Sequence, residues 1–589
     1  MTRNLSRLLP LVRWHYLRWG LVIPALPLAL WACNSHKLQQ PLPNPQQETD
    51  FAVLVSPERA VDILFMVDNS PSMDPKQAAL ATNFPRLIQA LQTLPGGLPD
   101  VHIGVISSDM GAGSEGIGGN CDVPLGDRGL LWGNDPTPGV RATVAGAPNN
   151  GCGLNSGARW IEDIQNPNGV GRQQNYTGNL TDVFSCLAKA VGVNGCGYEH
   201  PLQSVRVALN PQGGINDANV GFVRPKGYLA IVLITDEDDC SADVSDVSNN
   251  GMFLQRPKGE TASMKCATRG DLCNGAEIPN YDVTNGFPTT GFTGFSTPLS
   301  NCAPRDQRTP ADPAYMPLIP VQAIIDSVNS VHVNTNGVDV YKRPEQILVS
   351  GIIGWPANND PSTVNFTIGV DTTSLPPPQN TYWDYMPICT IPSQKSADGN
   401  IYRAYGGLRL KKFIDAYKKD NDQNTFSICN SDFTSAMTQI GNAIVKVLKP
   451  GCVNYPLIDT DASTPNVVEP ECQVLDRISC DKPNVDRCLS SGYEENRLLE
   501  CIDPNTQRPL IPANATSAQE LNKIPDSSRP CWYLAYDKTP TGCPEAPNGQ
   551  RILALRPSGT VAPAGTLLAM KCLTCAKPAG ETCPALGTH

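Results

Sequence analysis

The run Val61-Asp62-Ile63-Leu64-Phe65-Met66-Val67 stops abruptly at Asp68-Asn69-Ser70-Pro71-Ser72, and this junction constrains the chain more than any other stretch. An apolar segment rich in β-branched and aromatic residues, interrupted by Asp62 near its start, predicts a strand buried on both faces, the kind that parallel sheets use. In open α/β sheets the binding crevice lies beyond the carboxyl ends of the strands, which is where Asp68 falls. A sharp turn after Asp68 would bring its carboxylate and the hydroxyls of Ser70 and Ser72 to one point. Such an oxygen-only set with little formal charge suits a hard cation, Mg²⁺ or Mn²⁺, that keeps some of its waters. The structural alternative is a capped turn in which the same side chains bond local backbone amides.

Tyr228-Leu229-Ala230-Ile231-Val232-Leu233-Ile234-Thr235-Asp236 repeats the pattern, an apolar run ending in an aspartate. Between the two runs, Gly195-Cys196-Gly197-Tyr198-Glu199-His200-Pro201-Leu202 leads into a helical spacing at Leu202, Val205 and Leu209. Asp68-x-Ser70-x-Ser72 after such a strand resembles the metal-ion-dependent adhesion site of von Willebrand factor type A domains, and Asp236 matches that family's third metal motif. The resemblance implies that Ser70, Ser72 and Glu199 touch the ion, that Asp68 and Asp236 hold its waters, and that an open position accepts a partner's carboxylate. The family usually has a threonine where Glu199 stands, and the substitution resembles integrin β-subunit I-like domains. A glutamate there adds a charge, which should tighten cation binding while weakening the ion's pull on an acidic partner. Thr177 and Thr181 are weaker candidates for that place, because they precede the helix that ends near Val191.

The rest of the chain is read around this core. At 589 residues it is too long for one domain. Residues 1 to 32 carry Arg3, Arg7, Arg13 and Arg18 with no acid, then a short proline-broken apolar stretch from Leu21 to Leu30, the layout of an export signal. Leu30-Trp31-Ala32-Cys33 resembles a bacterial lipobox, which makes Cys33 the expected lipidation site. The proline-dotted residues 33 to 55 then read as a flexible tether. Of 21 cysteines, setting Cys33 aside leaves 20, an even number, as disulfide bonding in an exported protein requires. Ten lie between Cys121 and Cys429 and ten between Cys452 and Cys583, so each half can close its own bridges.

Periodic segments predict helices over Lys76 to Leu94, Pro317 to Val331, Leu408 to Tyr417 and Phe433 to Leu448, and strands over Val101 to Ile106 and Gln346 to Ile353. Alternating strands and helices imply an α/β fold, a doubly wound, mostly parallel sheet of the type A, Rossmann-like kind over residues 56 to 450. Residues 110 to 175 and 240 to 315 are rich in Gly, Asn and Pro and read as long loop insertions, the first stapled by Cys121 and Cys152. Residues 451 to 589 read as a small Cys-rich β domain, with strand-like pieces at Trp532 to Tyr536, Arg551 to Leu555 and Leu567 to Met570.

The formal charge of −11 becomes −15 without the four signal arginines. An acidic chain lacking clustered Lys and Arg is a poor nucleic-acid binder, and membrane contact is expected through the lipid anchor only. Glu237, Asp238 and Asp239 read as solvated surface and His200 as a surface residue at a helix start. Cys572-x-x-Cys575 has a redox spacing but lacks a βαβ setting, so structural bridging is expected. No His-Glu-x-x-His, nucleophile elbow or phosphate loop occurs.

The expected function is therefore binding, not catalysis. A lipid-anchored protein of the bacterial cell envelope, on the outer membrane, engages a protein partner's acidic side chain through Mg²⁺, or Mn²⁺ or Ca²⁺, held by Asp68, Ser70, Ser72, Glu199 and Asp236. The alternatives are an envelope scaffold whose metal site is not adhesive, and a metal-dependent hydrolase using Glu199, Glu237 or Asp238 as general base.

Overall fold

The computed structural model describes residues 46–54, 60–112 apart from 95–96, 121, 125–135, 142–143, 151–210 apart from 167–170, 217–242 apart from 226, 261–277, 297–305, and 318–370 apart from 336–337, 361–363 and 365. Beyond these it describes 383–395, 401–418, 422–448, 452–453, 457–458, 470–479, 493–502, 530–536, 543, 546, 549–555 and 567–575. The expected signal segment and Cys33 lie outside the described residues. Among the described residues no helix is long and apolar enough to cross a membrane.

In chain order, β1 (Gln46–Leu54) precedes β2 (Ala60–Val67), α1 (Asp74–Leu91), β3 (Asp100–Ser107), β4 (Ile161–Gln165) and β5 (Arg172–Gln174). There follow α2 (Leu180–Ala190), α3 (Pro201–Leu209), β6 (Tyr228–Thr235), α4 (Ala262–Gly270), α5 (Val321–Asn329) and β7 (Ile347–Ile353). The hairpin β8 (Cys389–Lys395) and β9 (Ile401–Ala404) leads to α6 (Leu408–Asp415), β10 (Thr425–Ser427) and α7 (Thr434–Leu448). The C-terminal strands are β11 (Cys472–Ser479), β12 (Tyr493–Glu500), β13 (Cys531–Tyr536), β14 (Gln550–Leu555) and β15 (Leu567–Cys575).

A seven-stranded sheet in the order β10-β7-β6-β2-β3-β4-β5 forms the centre, parallel from β10 to β3 and antiparallel at β4 and β5. The pleat of β2 divides its apolar run between two helical layers. Val61, Ile63, Phe65 and Val67 pack with Leu80, Phe84 and Leu87 of α1, Phe184 of α2 and Ile440 of α7. Leu64 and Met66 pack with Leu202 of α3, Ile324 of α5 and Phe413 of α6. Helices therefore cover both faces of a mostly parallel sheet, as the alternating pattern predicts. The helix over Asp74–Leu91 and the strands Asp100–Ser107 and Ile347–Ile353 lie where the periodicity places them. The strand order reverses between β2 and β6, so the chain leaves their carboxyl ends toward opposite faces of the sheet, the place where open α/β sheets carry a crevice.

Several expectations need correction. Cys121 pairs with Cys196, and Cys152 pairs with Cys186 of α2, so the first insertion is tied to the α/β core rather than stapled to itself. Its end also supplies β4 and β5, whose three to five residues are too short to give a period in a Gly- and Asn-rich background. The second insertion contains α4, anchored through Cys240–Cys266. Residues 46–54, read as part of a tether, form β1, which pairs antiparallel with β15 from Gln46↔Cys575 to Leu54↔Leu567.

That pairing completes a separate six-stranded sheet, in the order β1-β15-β11-β12-β13-β14. Its core includes Val474, Leu498, Trp532, Leu534, Ile552, Leu568 and Met570. Cys452–Cys543, Cys472–Cys572 and Cys501–Cys531 staple it, so Cys572 is a structural bridge, and among the described residues the disulfides stay within each half of the chain.

Candidate functional site

Asp68 is still attached to the sheet, since its N–H donates to Ile234 O at 2.9 Å, and the chain turns immediately afterwards. Ser70 N–H donates to Asp68 Oδ1 at 2.7 Å, an Asx-type closure that reverses the backbone. The hydroxyls of Ser70 and Ser72 lie 2.8 Å apart, and Ser72 Oγ donates to Asp236 Oδ1 at 3.0 Å. Thr235, the last residue of β6, donates from Oγ1 to Asp68 Oδ2 at 2.6 Å. Asp68, Ser70, Ser72 and Asp236 thus form one hydrogen-bonded cluster across the gap between β2 and β6. Asp68, Ser70 and Asp236 are buried, while Ser72 is partly exposed and forms the cluster's outlet to solvent.

Glu199 reaches the cluster by another route. His200 N–H donates to Ser108 O at 3.0 Å, and Cys240 N–H donates to Glu199 O at 2.8 Å, so the loop is pinned between β3 and the segment after β6. Cys121–Cys196 and Cys240–Cys266 lock both flanks of this loop. The Glu199 carboxylate accepts from Ser108 Oγ, which lies 3.4 Å from Asn69 Oδ1 and accepts from Asn69 N–H at 3.4 Å. Glu199 therefore belongs to the same polar group one hydroxyl removed from the Asp68 turn. Thr177 instead turns back to Gly153 O, and Thr181 lies inside α2 accepting from Ser185, so neither is bonded into this group.

The electrostatics are those of an acid cluster short of positive charge. Burial, followed by repulsion from Asp236, pushes the Asp68 carboxyl up to about 7. Burial holds Glu199 well above the usual carboxylate range, with Asp68 and Glu237 adding to it. Glu237 is raised well above its range by burial and then by Asp236 and Asp68. Asp236 is raised by burial, which Lys76 and the Ser72 hydroxyl partly offset. Two oxygens of this group, Asp236 Oδ2 and Glu199 Oε1, are buried with no hydrogen-bond partner among the described residues. Each unsatisfied oxygen costs the fold on the order of 1–3 kcal/mol, more when charged. A cation taken up beside Asp68, Ser70, Ser72 and Asp236 would compensate the carboxylates there, and such an oxygen-only donor set suits a hard divalent cation. Among the described residues no three His, Cys, Asp or Glu side chains converge to hold a metal by themselves. Any ion here must therefore take the Ser70 and Ser72 hydroxyls along with the carboxylates.

Three participants escaped the sequence reading. Ser108 follows β3, where Ser107-Ser108-Asp109 ends an apolar run much as Asp68 ends β2, and that parallel was the available signal. Thr235 immediately precedes Asp236. Lys76, in the first turn of α1, is 3% exposed, with Nζ 3.7 Å from Asp236 Oδ2 and 3.9 Å from the centre of the Tyr402 ring. Burial lowers its ammonium to about 8, against the pull of Asp236 and Asp68.

The residues after Asp236 are not solvated surface. Asp239 is fully buried and receives Arg409 Nε at 3.0 Å and Nη2 at 2.9 Å, besides Leu202 N–H at 3.1 Å at the start of α3. Asp238 accepts the backbone N–H groups of Arg409 and Leu410 at the start of α6. Both act as helix N-terminal anchors, which fixes the loop behind Asp236 and leaves Asp238 committed to structure. His200 is fully buried, not superficial, with Nδ1 3.3 Å from Ala242 N, and burial lowers it to about 4.

No family model matches this chain, and no curated protein matches it. Among solved structures it is similar to the pilus adhesin RrgA of Streptococcus pneumoniae, at 10% identity and a TM-score of 0.21, covering 90% of this chain and 58% of that one. It is also similar to the adhesive tip pilin GBS104 of Group B Streptococcus agalactiae, at 11% identity and a TM-score of 0.18, covering 91% and 83% respectively. The chain spans less than two thirds of the first of these structures, and likeness at this level carries no argument about function.

Proposed function

We propose that this chain is an exported binding protein whose α/β domain is of the von Willebrand factor type A kind, and that it engages a partner's acidic side chain through a divalent cation. Mg²⁺ is the proposed ion, with Mn²⁺ or Ca²⁺ as substitutes. The single observation that carries the reading is the meeting of Asp68, Ser70, Ser72 and Asp236 in one hydrogen-bonded cluster, with Glu199 one hydroxyl away, at the point where strand order reverses. Two buried oxygens there lack hydrogen-bond partners among the described residues, and Ser72 gives a path to solvent. A cation bound here would supply charge to acids that burial holds back from ionising, and a coordination position facing Ser72 would be open to an outside carboxylate. Lipidation at Cys33 is proposed to keep the domain at the cell envelope.

The test is Mn²⁺ binding by the disulfide-bonded full chain, followed by electron paramagnetic resonance and by water-proton relaxation. Wild type is expected to bind Mn²⁺ with an exchangeable water still on the ion, and a short peptide bearing one glutamate should displace it. Replacing Ser70 and Ser72 together by Ala should weaken Mn²⁺ binding by about 100-fold, equivalent to ~2.7 kcal/mol. Failure of wild type to bind Mn²⁺ would end this reading.

A further inference from the structure

We propose that the ammonium of Lys76 is a resident counter-ion of the acid cluster, one that a divalent cation must displace in order to load the site. The inference rests on the cation-site reading above and concerns how that site is regulated.

The geometry divides the Asp236 carboxylate between two claimants. Oδ1 receives the Ser72 hydroxyl at 3.0 Å, whereas Oδ2 has no hydrogen-bond partner among the described residues and faces Lys76 Nζ at 3.7 Å. On its other side the ammonium sits over the face of Tyr402, 3.9 Å from the ring centre, where the ring quadrupole attracts a cation. Among the described residues Lys76 Nζ has no hydrogen-bond acceptor, and it has almost no access to water, so the carboxylate and the ring are what compensate its burial. An arrangement of this kind is poor for a lysine and is explained by what it faces: buried carboxylates that would otherwise repel one another without relief.

A divalent ion entering between Ser70, Ser72 and Asp236 would meet that ammonium across a single carboxylate group. Two like charges so close in a dry setting repel strongly, and the lysine must swing out as the ion enters. Tyr402 lies on β9 of the hairpin formed with β8, and Cys389 of β8 is bonded to Cys429 beyond β10. The hairpin therefore holds the lid under which the ammonium rests. Arg403, next along β9, adds a second and weaker positive influence on Asp236. The cost of displacing Lys76 sets a threshold: the site fills only when cation and partner carboxylate together outweigh the built-in charge.

The experiment is calorimetric titration of MnCl₂ into the disulfide-bonded full chain at fixed pH and ionic strength, for wild type, Lys76→Met and Lys76→Arg. Lys76→Met is expected to bind Mn²⁺ about tenfold tighter or more, because a like charge has been removed. Lys76→Arg, which keeps the charge, should stay within about threefold of wild type by the same reasoning. Measurable binding only in Lys76→Met would also support the proposal. Wild type binding as tightly as Lys76→Met would overturn it and leave the cation site standing, whereas no Mn²⁺ binding in any of the three would end both. If Lys76→Met does not fold, Tyr402→Leu replaces it. Loss of the ring should tighten Mn²⁺ binding about threefold, and unchanged or weaker binding would overturn the proposal.

Discussion

The acid cluster makes the stability of the ion-free protein fall as pH rises, in a way that Asp68 can be made to report. Its carboxyl ionises near 3.8 in an unfolded chain and near 7 in the fold, because burial and Asp236 disfavour the charge. The folded state therefore holds the proton more tightly, and stability is lost as pH climbs from the lower value through the upper one. Once both states are ionised, the total loss is ~4 kcal/mol at about 1.36 kcal/mol per pH unit. Roughly 2 to 3 kcal/mol of it falls between pH 5 and pH 7.5 on the same linkage. At roughly 2 °C per kcal/mol, that corresponds to about 5 °C in Tm. His200 and His102 work in the opposite sense, since burial holds both below their usual value and they destabilise the fold as pH falls. The informative quantity is therefore the difference between Asp68→Asn and wild type, in which the histidines cancel. Differential scanning calorimetry in chelator should find Asp68→Asn gaining on wild type by about 5 °C from pH 5 to pH 7.5. Saturating Mg²⁺ should remove the part of the wild-type pH dependence that Asp68 contributes and leave that of the histidines. A pH-independent difference, or one that shrinks toward pH 7.5, would refute the reasoning.

Other consequences can be checked separately. Arg409→Met leaves Asp239 buried without its charge partner and should destabilise the α/β domain by about 3–5 kcal/mol in denaturant titration. A Cβ at Gly354 would lie 1.6 Å from Tyr405 O, and Tyr405 N–H donates to Asp236 O at 2.7 Å. Gly354→Ala should therefore cost about 1–3 kcal/mol and weaken Mn²⁺ binding together, measured by calorimetry. Replacing Cys389 and Cys429 by Ala should lower stability by about 2–4 kcal/mol, and Mn²⁺ affinity should rise, because the hairpin then holds Lys76 less firmly.

What could be read from the chain follows a physical divide. β2 and β6 are buried on both faces, so their sequences are almost wholly apolar, the one charge being Asp62, paired with Arg224 near the start of β2, and the aspartates that follow them stand out. α1 shows its apolar stripe because one face meets the sheet throughout. Lys76 shows nothing, since a lysine in the first turn of such a helix is ordinarily solvated, and only the distant β8–β9 hairpin folding over it makes it buried. Asp238, Asp239 and His200 misled for the same reason. Their partners, Arg409, Ser241 and Ala242, reach them through tertiary closure that local polarity does not register. β1 was hidden because the prolines and glutamines before it resemble linker, and its partner is made from the far end of the sequence.

That last pairing has a consequence for how the molecule is made. β1 is among the earliest described segments to leave the ribosome, and β15, against which it registers residue for residue, is the last. At roughly 5–20 residues per second of elongation, the interval between them is about half a minute to two minutes. Through that time the opening strand has no neighbour, and the terminal sheet lacks one edge. Synthesis of β15 is thus the event that seals β1 into the sheet, and a chain stopped short of β15 would leave both β1 and β11 without that neighbour.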